Sequence, residues 1–137
     1  MRESAQLSHL CENFEWLESI IVGNTSILSQ LESYLSLTNQ RETVIASNMA
    51  NVDTPGYKTK DIDFQQELAR AMGAPEGTSP HVGVRDVSGL LERPDGNNVD
   101  IDREALKLSE VQLQYQMGTQ LMKDRFHQIM TAINSDQ

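Results

Sequence analysis

The last third of the chain places an apolar residue at almost every third or fourth position. Alternate steps of four and three residues from Ile101 to Ile133 meet ten positions, eight of which are apolar. This period is typical of one long helix with a continuous apolar face, as in a coiled-coil seam. Asp100 or Asp102 can cap its first turn. The apolar residues of this seam are Ile101, Ala105, Leu108, Tyr115, Met122, Phe126, Ile129 and Ile133.

A second helix is predicted for residues 26–51. The same stepping finds an apolar stripe that polar residues interrupt at its centre. At about 1.5 Å per residue, this helix would be about 40 Å long. It should end before Pro55, and Pro55-Gly56 is typical of a type II turn because glycine accepts the positive φ that the turn requires. The apolar positions of the stripe are Leu28, Leu31, Leu35, Ile45 and Met49.

The first 25 residues form an N-terminal extension. Apolar residues at three- and four-residue spacing between residues 5 and 22 predict a short amphipathic helix. Gly23-Asn24-Thr25 should end it, and a polar residue there can cap the next helix. The pattern therefore predicts two separate helices before the Pro-Gly turn.

The middle segment, residues 58–100, contains no long periodic stretch. Its local signals are short, and each depends on a few turn-forming or alternating residues. We expect polar and apolar alternation at Asp61–Phe64, one or two helical turns within Phe64–Met72, a flexible loop at Gly73–Pro80, a short strand within Val82–Leu91 and a turn at Asp95–Asn98.

Composition favours helices over a large globular core. Apolar residues make up 38% of the chain and aromatic residues only 5%. Helix formers such as Leu, Gln and Glu are common. We therefore expect a mainly α fold, in which long N- and C-terminal helices form a coiled-coil-like pair and the middle is irregular or a small β segment. The chain accordingly divides into residues 1–25, 26–57, 58–100 and 101–137.

The charge distribution excludes two classes of partner. The formal net charge is -9, and residues 61–102 alone hold nine acidic and three basic side chains. Without basic clusters, neither nucleic acid nor an anionic membrane surface is an expected partner. No apolar stretch approaches the roughly 20 residues that a membrane span needs, and the N-terminus lacks the pattern of a secretory signal. We therefore expect no direct membrane insertion.

No group of residues predicts catalysis, a metal site or a cofactor. His9, His81 and His127 are far apart, and no cysteine or glutamate joins them at ligand spacing. The acidic stretch Asp95–Asp102 lacks the alternating ligands, central glycine and final glutamate of a calcium loop. Cys11 is the single cysteine, so no disulfide can form within the chain.

Asp61 and Asp63 resemble a pair of catalytic carboxylates, but nothing near them in sequence would separate their pKa values. They are more simply explained as solvent-facing neighbours of buried Ile62 and Phe64. We therefore expect a protein that is not an enzyme.

Two long apolar stripes can be covered in two ways. The helices can fold onto each other as a hairpin within one chain, or each can pack against helices of other molecules. The middle segment has little apolar surface to offer, which favours contacts between molecules. On this interpretation residues 26–51 and 101–134 become ordered on assembly.

The string from Val44 to Tyr57 resembles the signature of flagellar rod and hook proteins, in which a helix runs into Asn-x-x-Asn-x-x-Thr-Pro-Gly-Tyr. Asn48 and Asn51 lie three residues apart, so their amides can bond exposed carbonyls at the helix end or a neighbouring chain. Residues 1–25 do not match this family. Three further stretches resemble the FlgB family of proximal rod proteins, namely Lys60–Phe64, Asp95–Glu104 and Leu113–Met117.

The resemblance implies a structural subunit of the bacterial flagellar basal body. Such a subunit leaves the cytoplasm by flagellar type III export without a cleaved signal, joins the periplasmic rod and helps to transmit torque from motor to hook. Its partners would be copies of itself, other rod proteins, the rod-base adaptor and the export gate. The alternatives are another flagellar axial protein and a soluble helical adaptor or export chaperone.

The assembly interface is expected to combine the two apolar stripes with the signature turn. A charge buried in such an interface would cost several kcal/mol, so apolar residues and hydrogen-bonding amides are favoured there. The expected residues are Leu28, Leu31, Leu35, Ile45, Asn48, Met49, Asn51, Thr54, Pro55, Gly56, Tyr57, Ala105, Leu108, Tyr115, Met122, Phe126, Ile129 and Ile133.

Overall fold

A computed structural model describes the backbone of residues 3–73 and 82–134, and the side chains of residues 26–73 and 82–134. Three helices and two short strands follow one another in this part of the chain. They are α1 (Glu3–Ala50), β1 (Lys60–Ile62), α2 (Phe64–Met72), β2 (Val84–Asp86) and α3 (Ile101–Asn134). The predicted mainly α fold, with long terminal helices and a small β element between them, is confirmed.

Helix α1 is longer than the sequence predicted. It runs for 48 residues and passes through Gly23-Asn24-Thr25 without a break. The predicted break is wrong because one glycine costs a helix only about 1 kcal/mol, which good helix formers on both sides can offset. The side chains of residues 5–22 lie outside the described residues, so the amphipathic stripe proposed for them stays a prediction.

Helix α3 begins close to the predicted position, and Asp100 is its N-cap. The Asp100 Oδ1 accepts hydrogen bonds from the backbone N–H of Asp102 at 3.0 Å and of Arg103 at 3.3 Å. These bonds satisfy two of the N–H groups that a helix start leaves without partners. Of the two caps that the sequence allowed, the structure uses Asp100.

Helices α1 and α3 pack against each other in opposite directions. Asn48, near the end of α1, bonds Glu104, near the start of α3, at 2.8 Å. Farther along the pair, a Cβ placed on Gly118 would lie 2.8 Å from Leu35 Cδ2 and 3.2 Å from the Tyr34 ring. The terminal helices thus form a hairpin within one chain. This is the first of the two arrangements that the sequence allowed. The expectation that residues 26–51 and 101–134 become ordered on assembly stays a prediction.

The covered face of α3 lies one residue before the predicted seam. Glu104, Val111 and Gly118 are buried and stand seven residues apart, which is close to two helical turns. Tyr115, by contrast, is exposed. Two of these three covered positions hold a glutamate and a glycine, so apolar periodicity does not mark them and instead marks the positions one residue later. The predicted seam therefore runs along the flank of the covered face.

The middle segment packs beside α1. Strands β1 and β2 pair antiparallel, with Lys60 opposite Asp86, and β2 lies inside the segment predicted to hold a strand. Helix α2 agrees with the turns predicted there, and its first residue, Phe64, meets the Tyr34 ring edge-on with 5.5 Å between ring centroids. Residues 74–81, which include most of the predicted flexible loop, lie outside the described residues.

Candidate functional site

The signature string forms the end of α1 and a tight turn. The Thr54 N–H donates to the Asn51 carbonyl at 3.0 Å, and the Tyr57 N–H donates to the Thr54 carbonyl at 3.2 Å. Gly56 has a φ of 72°, in the left-handed region that favours glycine. The hydrogen bond and this angle agree with the predicted type II turn at Pro55-Gly56.

The Asn48 side chain joins the turn to three other elements. It is fully buried, and its amide N–H groups donate to the Lys60 carbonyl at 2.7 Å and to Glu104 Oε2 at 2.8 Å. Its Oδ1 accepts hydrogen bonds from the Lys60 N–H at 3.0 Å and the Tyr57 hydroxyl at 3.2 Å. All of the donors of this amide are therefore used, and α1, the signature turn, β1 and α3 meet at one side chain.

Four charged side chains meet beside this amide. Asp61 accepts hydrogen bonds from Arg41 Nε at 3.2 Å and from Lys107 Nζ at 2.9 Å. Lys107 Nζ also lies 3.6 Å from Glu104 Oε1, a buried oxygen with no hydrogen-bond partner among the described residues. Burial opposes ionisation of Asp61, but the hydrogen bonds from the two cations and one backbone N–H hold its pKa below its usual value. The expectation that Asp61 faces solvent is wrong, because the sequence does not reveal that two cations converge on it.

Asp63, the next acidic residue, stays nearer the surface. Its Oδ1 accepts a hydrogen bond from the Gln66 N–H at 3.2 Å and so caps α2, while its Oδ2 lies 2.8 Å from Arg85 Nη2. Ile62 is buried, as predicted, and Phe64 is half-buried.

A second turn closes over the signature turn through Asn97, whose side chain is fully buried. Its amide nitrogen donates to the carbonyls of Asn51 at 3.0 Å, Val52 at 3.1 Å and Thr54 at 2.8 Å. Its Oδ1 accepts a hydrogen bond from the Val99 N–H at 2.7 Å. These bonds give three carbonyl groups of the signature turn a shared donor in addition to their other hydrogen bonds. We call the two packed turns, residues 51–59 and 93–99, the turn lock.

Backbone contacts complete the turn lock. The Gly56 N–H donates to the Asp95 carbonyl at 2.9 Å, and the Thr59 N–H donates to Asn98 Oδ1 at 2.7 Å. Gly96 has a φ of 81°, and a Cβ there would lie 3.6 Å from the Cα of Gly56. The two turns therefore hold both ends of the middle segment together.

Two carboxylates of the acidic stretch that follows bond backbone N–H groups. Asp95 Oδ1 accepts a hydrogen bond from the Asn97 N–H at 3.0 Å, and Asp100 caps α3. Among the described residues, no group of three or more His, Cys, Asp or Glu side chains could hold a metal ion. None of the helices in the described ranges is long and apolar enough to cross a membrane.

The side of α3 turned away from α1 carries a row of exposed apolar residues. Leu106, Leu113, Met117 and Leu121 are separated by seven, four and four positions, so they share one helix face. Exposed apolar residues that stand together mark contact surfaces, whereas isolated ones do not. We call these four residues the outer strip.

The predicted interface residues are divided between the interior and the surface. Ile45 and Asn48 are buried within the chain, whereas Tyr115, Phe126 and Ile133 are exposed. The other exposed ones are Thr54, Pro55, Gly56 and Ala105, and the half-buried ones are Leu28, Leu31, Leu35, Met49, Asn51, Tyr57, Leu108, Met122 and Ile129. The interior residues hold the chain together, and the others stay candidates for contacts between subunits.

Sequence reasoning missed three residues that hold the site together: Asn97, Glu104 and Lys107. Each is polar, so a search for apolar periodicity passes over it. Glu104 stands seven residues before buried Val111, and this spacing was the one available signal of its place on the covered face.

Comparison with known proteins now identifies the family. The family described as "Flagella basal body rod protein" matches residues 31–58. The flagellar basal body rod protein FlgB of Salmonella typhimurium is 36% identical, and the match covers 72% of this chain and 86% of that protein. The chain belongs to the FlgB family. The FlgB protein of Escherichia coli is 32% identical, and the match covers 74% of this chain and 88% of that protein. The FlgB protein of Bacillus subtilis is 30% identical, and the match covers 77% of this chain and 92% of that protein.

A FlgB-family chain is a structural component of the proximal rod of the flagellar basal body, and it assembles with other rod components. Membership in a structural family also suggests that the chain is not an enzyme. The matched range 31–58 ends at the signature turn, whereas Asn97 and Glu104 lie beyond it. In this FlgB-family chain, Asn97 and Glu104, which lie C-terminal to the matched range, thus hydrogen-bond residues of the signature string.

Proposed function

We propose that this chain enters the wall of the rod through the exposed faces of its terminal helices, and that the assembled rod passes torque from motor to hook. The outer strip is the observation that carries the proposal, because it is an apolar face on a helix whose other face is already covered. Each large apolar side chain that becomes fully buried contributes about 1.5–3 kcal/mol. Covering four half-exposed side chains would favour association with a neighbouring helix.

The charge of α3 supports the same contact surface. Within α3, four acidic residues are balanced by four basic ones, although the whole chain has a net charge of -9. Subunits can therefore approach along α3 with less repulsion than along the acidic middle segment. The charged residues of α3 are Asp102, Glu104, Glu110 and Asp124 against Arg103, Lys107, Lys123 and Arg125.

The exposed members of the predicted seam extend this surface along the flank of α3, and the half-buried leucines at the start of the stripe extend it along α1. The seam members are Tyr115, Phe126 and Ile133, and the leucines are Leu28 and Leu31. Neighbouring copies and other rod proteins would cover these residues. A helix pair that is already packed inside needs only its outer surface for assembly, so subunits can join without refolding.

Export and location belong to the same proposal. The chain would leave the cytoplasm through the flagellar type III export apparatus without a cleaved signal, and would lie in the periplasmic part of the rod. The rod-base adaptor and the export gate would be its neighbours there. Membership in the FlgB family supports this placement. No catalytic step is proposed, since torque transmission requires only a rigid assembly.

One substitution in the outer strip tests the assembly surface. Met117→Asp places a charge where a neighbour would cover the helix, and burial of an unpaired charge costs several kcal/mol. Cells that lack their own FlgB gene and express this variant should not swim, and purified basal bodies should lack the subunit. Gln116→Asp is the matched control, because Gln116 is exposed next to the strip but does not belong to it.

Circular dichroism of both purified variants should show equal helix content, which separates assembly from folding. Basal bodies that contain Met117→Asp at the level of the unmodified subunit would show that the outer strip is not an assembly surface. Absence of the unmodified subunit from basal bodies would overturn the rod function itself.

A further inference from the structure

Asp95 is followed directly by Gly96, and no other aspartate or asparagine of the chain precedes a glycine. Because glycine has no Cβ, the backbone beside the Asp95 carboxyl is open and conformationally free when the chain is unfolded. At such a pair an aspartate side chain easily reaches the peptide nitrogen that follows it. Asp95 is also exposed, so water has access to its carboxyl group.

The reaction open to this pair is a rearrangement that needs only water. The Gly96 nitrogen bonds to Cγ of Asp95, and the carboxyl OH leaves with the amide proton as a water molecule, which closes a succinimide ring. When water adds to the main-chain carbonyl of this ring, the original carbon–nitrogen bond of the peptide breaks. Asp95 is then joined to Gly96 through Cγ and has become isoaspartate. One water leaves and one is added, so no oxidant or other reactant is required.

The fold engages both reacting groups in other hydrogen bonds. The Gly96 N–H donates to the Arg93 carbonyl at 2.8 Å, which holds the proton that the nitrogen must lose. The Asp95 Oδ1 accepts a hydrogen bond from the Asn97 N–H at 3.0 Å, so the carboxyl is directed at the nitrogen beyond that of Gly96. The reaction therefore requires this turn to open.

Further contacts couple the opening of this turn to the whole turn lock. The Asp95 carbonyl, which water would attack in the second step, accepts a hydrogen bond from the Gly56 N–H at 2.9 Å. The Asn97 side chain beside the pair is buried and donates to three carbonyls of the signature turn. The pair thus reacts from a locally opened state in which the two turns have separated.

We propose that Asp95 is a site of isoaspartate formation that the turn lock keeps unreacted in the folded chain. Once formed, isoaspartate would prevent the turn lock from closing. It adds one carbon atom to the main chain between Asp95 and Gly96, and it turns the carbonyl that accepts the Gly56 N–H into a free carboxylate. Refolding does not reverse this change, so a chain that reacts while it is unfolded keeps an open signature turn.

Isoaspartate is measured by enzymatic methylation of its free carboxylate with labelled S-adenosylmethionine, and fragmentation of peptides in a mass spectrometer locates it. The full-length chain is incubated at neutral pH in buffer and in urea that unfolds it. A peptide of residues 91–101, kept in both solutions, corrects for the effect of urea on the chemistry. Isoaspartate should form at Asp95 in urea, and at least about tenfold more slowly in buffer, because hydrogen bonds of both reacting groups must open first.

Asn97→Ala connects this protection to the turn lock. In buffer the variant should form isoaspartate at Asp95 several-fold faster than the unmodified chain. In urea the two rates should be equal, because the reacting pair is unchanged. Asn39→Ala alters an exposed asparagine of α1 and is the matched control, which should react at the unmodified rate in both solutions. An unmodified rate for Asn97→Ala in buffer would contradict the protective role of the turn lock.

Two further results would overturn the proposal. Absence of isoaspartate at Asp95 in urea would show that the pair is not a modification site, and equal corrected rates in buffer and urea would show that the fold does not protect it. Chains that contain isoaspartate are then separated by chromatography and refolded. Their Gly56 amide hydrogen should exchange faster than that of unreacted chains treated in the same way, and equal exchange would mean that the turn lock closes in spite of the modification.

Discussion

Asn48 and Glu104, 56 positions apart in sequence, share a buried hydrogen bond of 2.8 Å between the end of α1 and the start of α3. Neither side chain is exposed to solvent. The pair can form in one position only, because a shift of either helix would leave one N–H of the buried amide and one oxygen of the buried carboxylate without this hydrogen bond. The pair therefore fixes the register of the two terminal helices, and with it the position of the outer strip.

Replacing Asn48 should cost more stability than any other asparagine in the signature. Asn48→Leu keeps the size of the side chain but removes the hydrogen bonds to Glu104 Oε2 and to the Tyr57 hydroxyl. A buried group that loses its hydrogen-bond partner costs about 1–3 kcal/mol, and a charged group costs more. Urea unfolding of the full chain measures the change. Asn51→Leu is the control, since in the described part of the chain the Asn51 amide bonds Ser47 and Thr54, which are close to it in sequence. This variant should cost about 1 kcal/mol. Equal losses of stability for both variants would contradict the role assigned to Asn48.

Asn97→Ala should loosen the turn lock without disturbing the helix pair. The substitution removes the donor that three carbonyls share at the end of α1, although each of them keeps one other hydrogen bond. A typical hydrogen bond contributes about 0.5–1.5 kcal/mol to stability. Hydrogen exchange should rise at residues 51–59 and stay constant at Val111. The control is Asn39→Ala, which alters an exposed asparagine of α1. Unchanged exchange at the signature turn would contradict the role assigned to Asn97.

The sequence allowed the local features of this fold to be predicted. The Pro55-Gly56 turn, the Asp100 cap and the extent of α3 depend on residues within one or two helical turns of each other. The contacts of Asn48, Asn97 and Glu104 depend on side chains that only the fold brings together, and no pattern in one sequence reveals such pairs. The predicted break near residue 23 failed for a different reason, because local turn residues were outweighed by the helix formers around them.

Gly118→Leu should destabilise the chain although leucine favours helix. Helix propensity alone predicts a gain approaching about 1 kcal/mol. However, a Cβ at this position would meet the Leu35 side chain at 2.8 Å and the Tyr34 ring at 3.2 Å, so these side chains or the two helices would have to move apart. Overpacking costs typically about 1–3 kcal/mol, which outweighs the gain. Gln120→Leu, at an exposed position of α3, should be nearly neutral. A higher urea midpoint for Gly118→Leu would mean that the two helices do not approach closely there.

The free energy of unfolding should decrease at acidic pH, in part because Asp61 becomes protonated. The pKa of this carboxyl is lowered in the folded chain, so its contribution to the free energy of unfolding is present above its usual value of 3.8. The contribution is lost as the pH falls from there through the folded-state pKa. Asp61→Asn should therefore be less stable at neutral pH, where Arg41 and Lys107 lose their partner, and should lose less stability on acidification below pH 3.8.

Urea midpoints measured across this range give the comparison, and Asp53→Asn controls for the change in net charge at an exposed site. Parallel pH profiles for Asp61→Asn and the unmodified chain would contradict the ion-pair role of Asp61.

Tyr115→Glu separates the flank of α3 from its inner face. Tyr115 is exposed, so a glutamate there meets solvent in the single chain and should change its stability by less than about 1 kcal/mol. In an assembled rod the same charge would be covered by a neighbour at a cost of several kcal/mol, and the subunit should be missing from basal bodies.

Leu108→Glu should also block assembly, but Leu108 is half-buried, so that variant should also melt at a lower temperature. Gln112→Glu alters a polar, exposed position of the same stripe and should be tolerated. Cells that swim normally with Tyr115→Glu would remove this flank from the interface and leave the outer strip as the contact surface of α3.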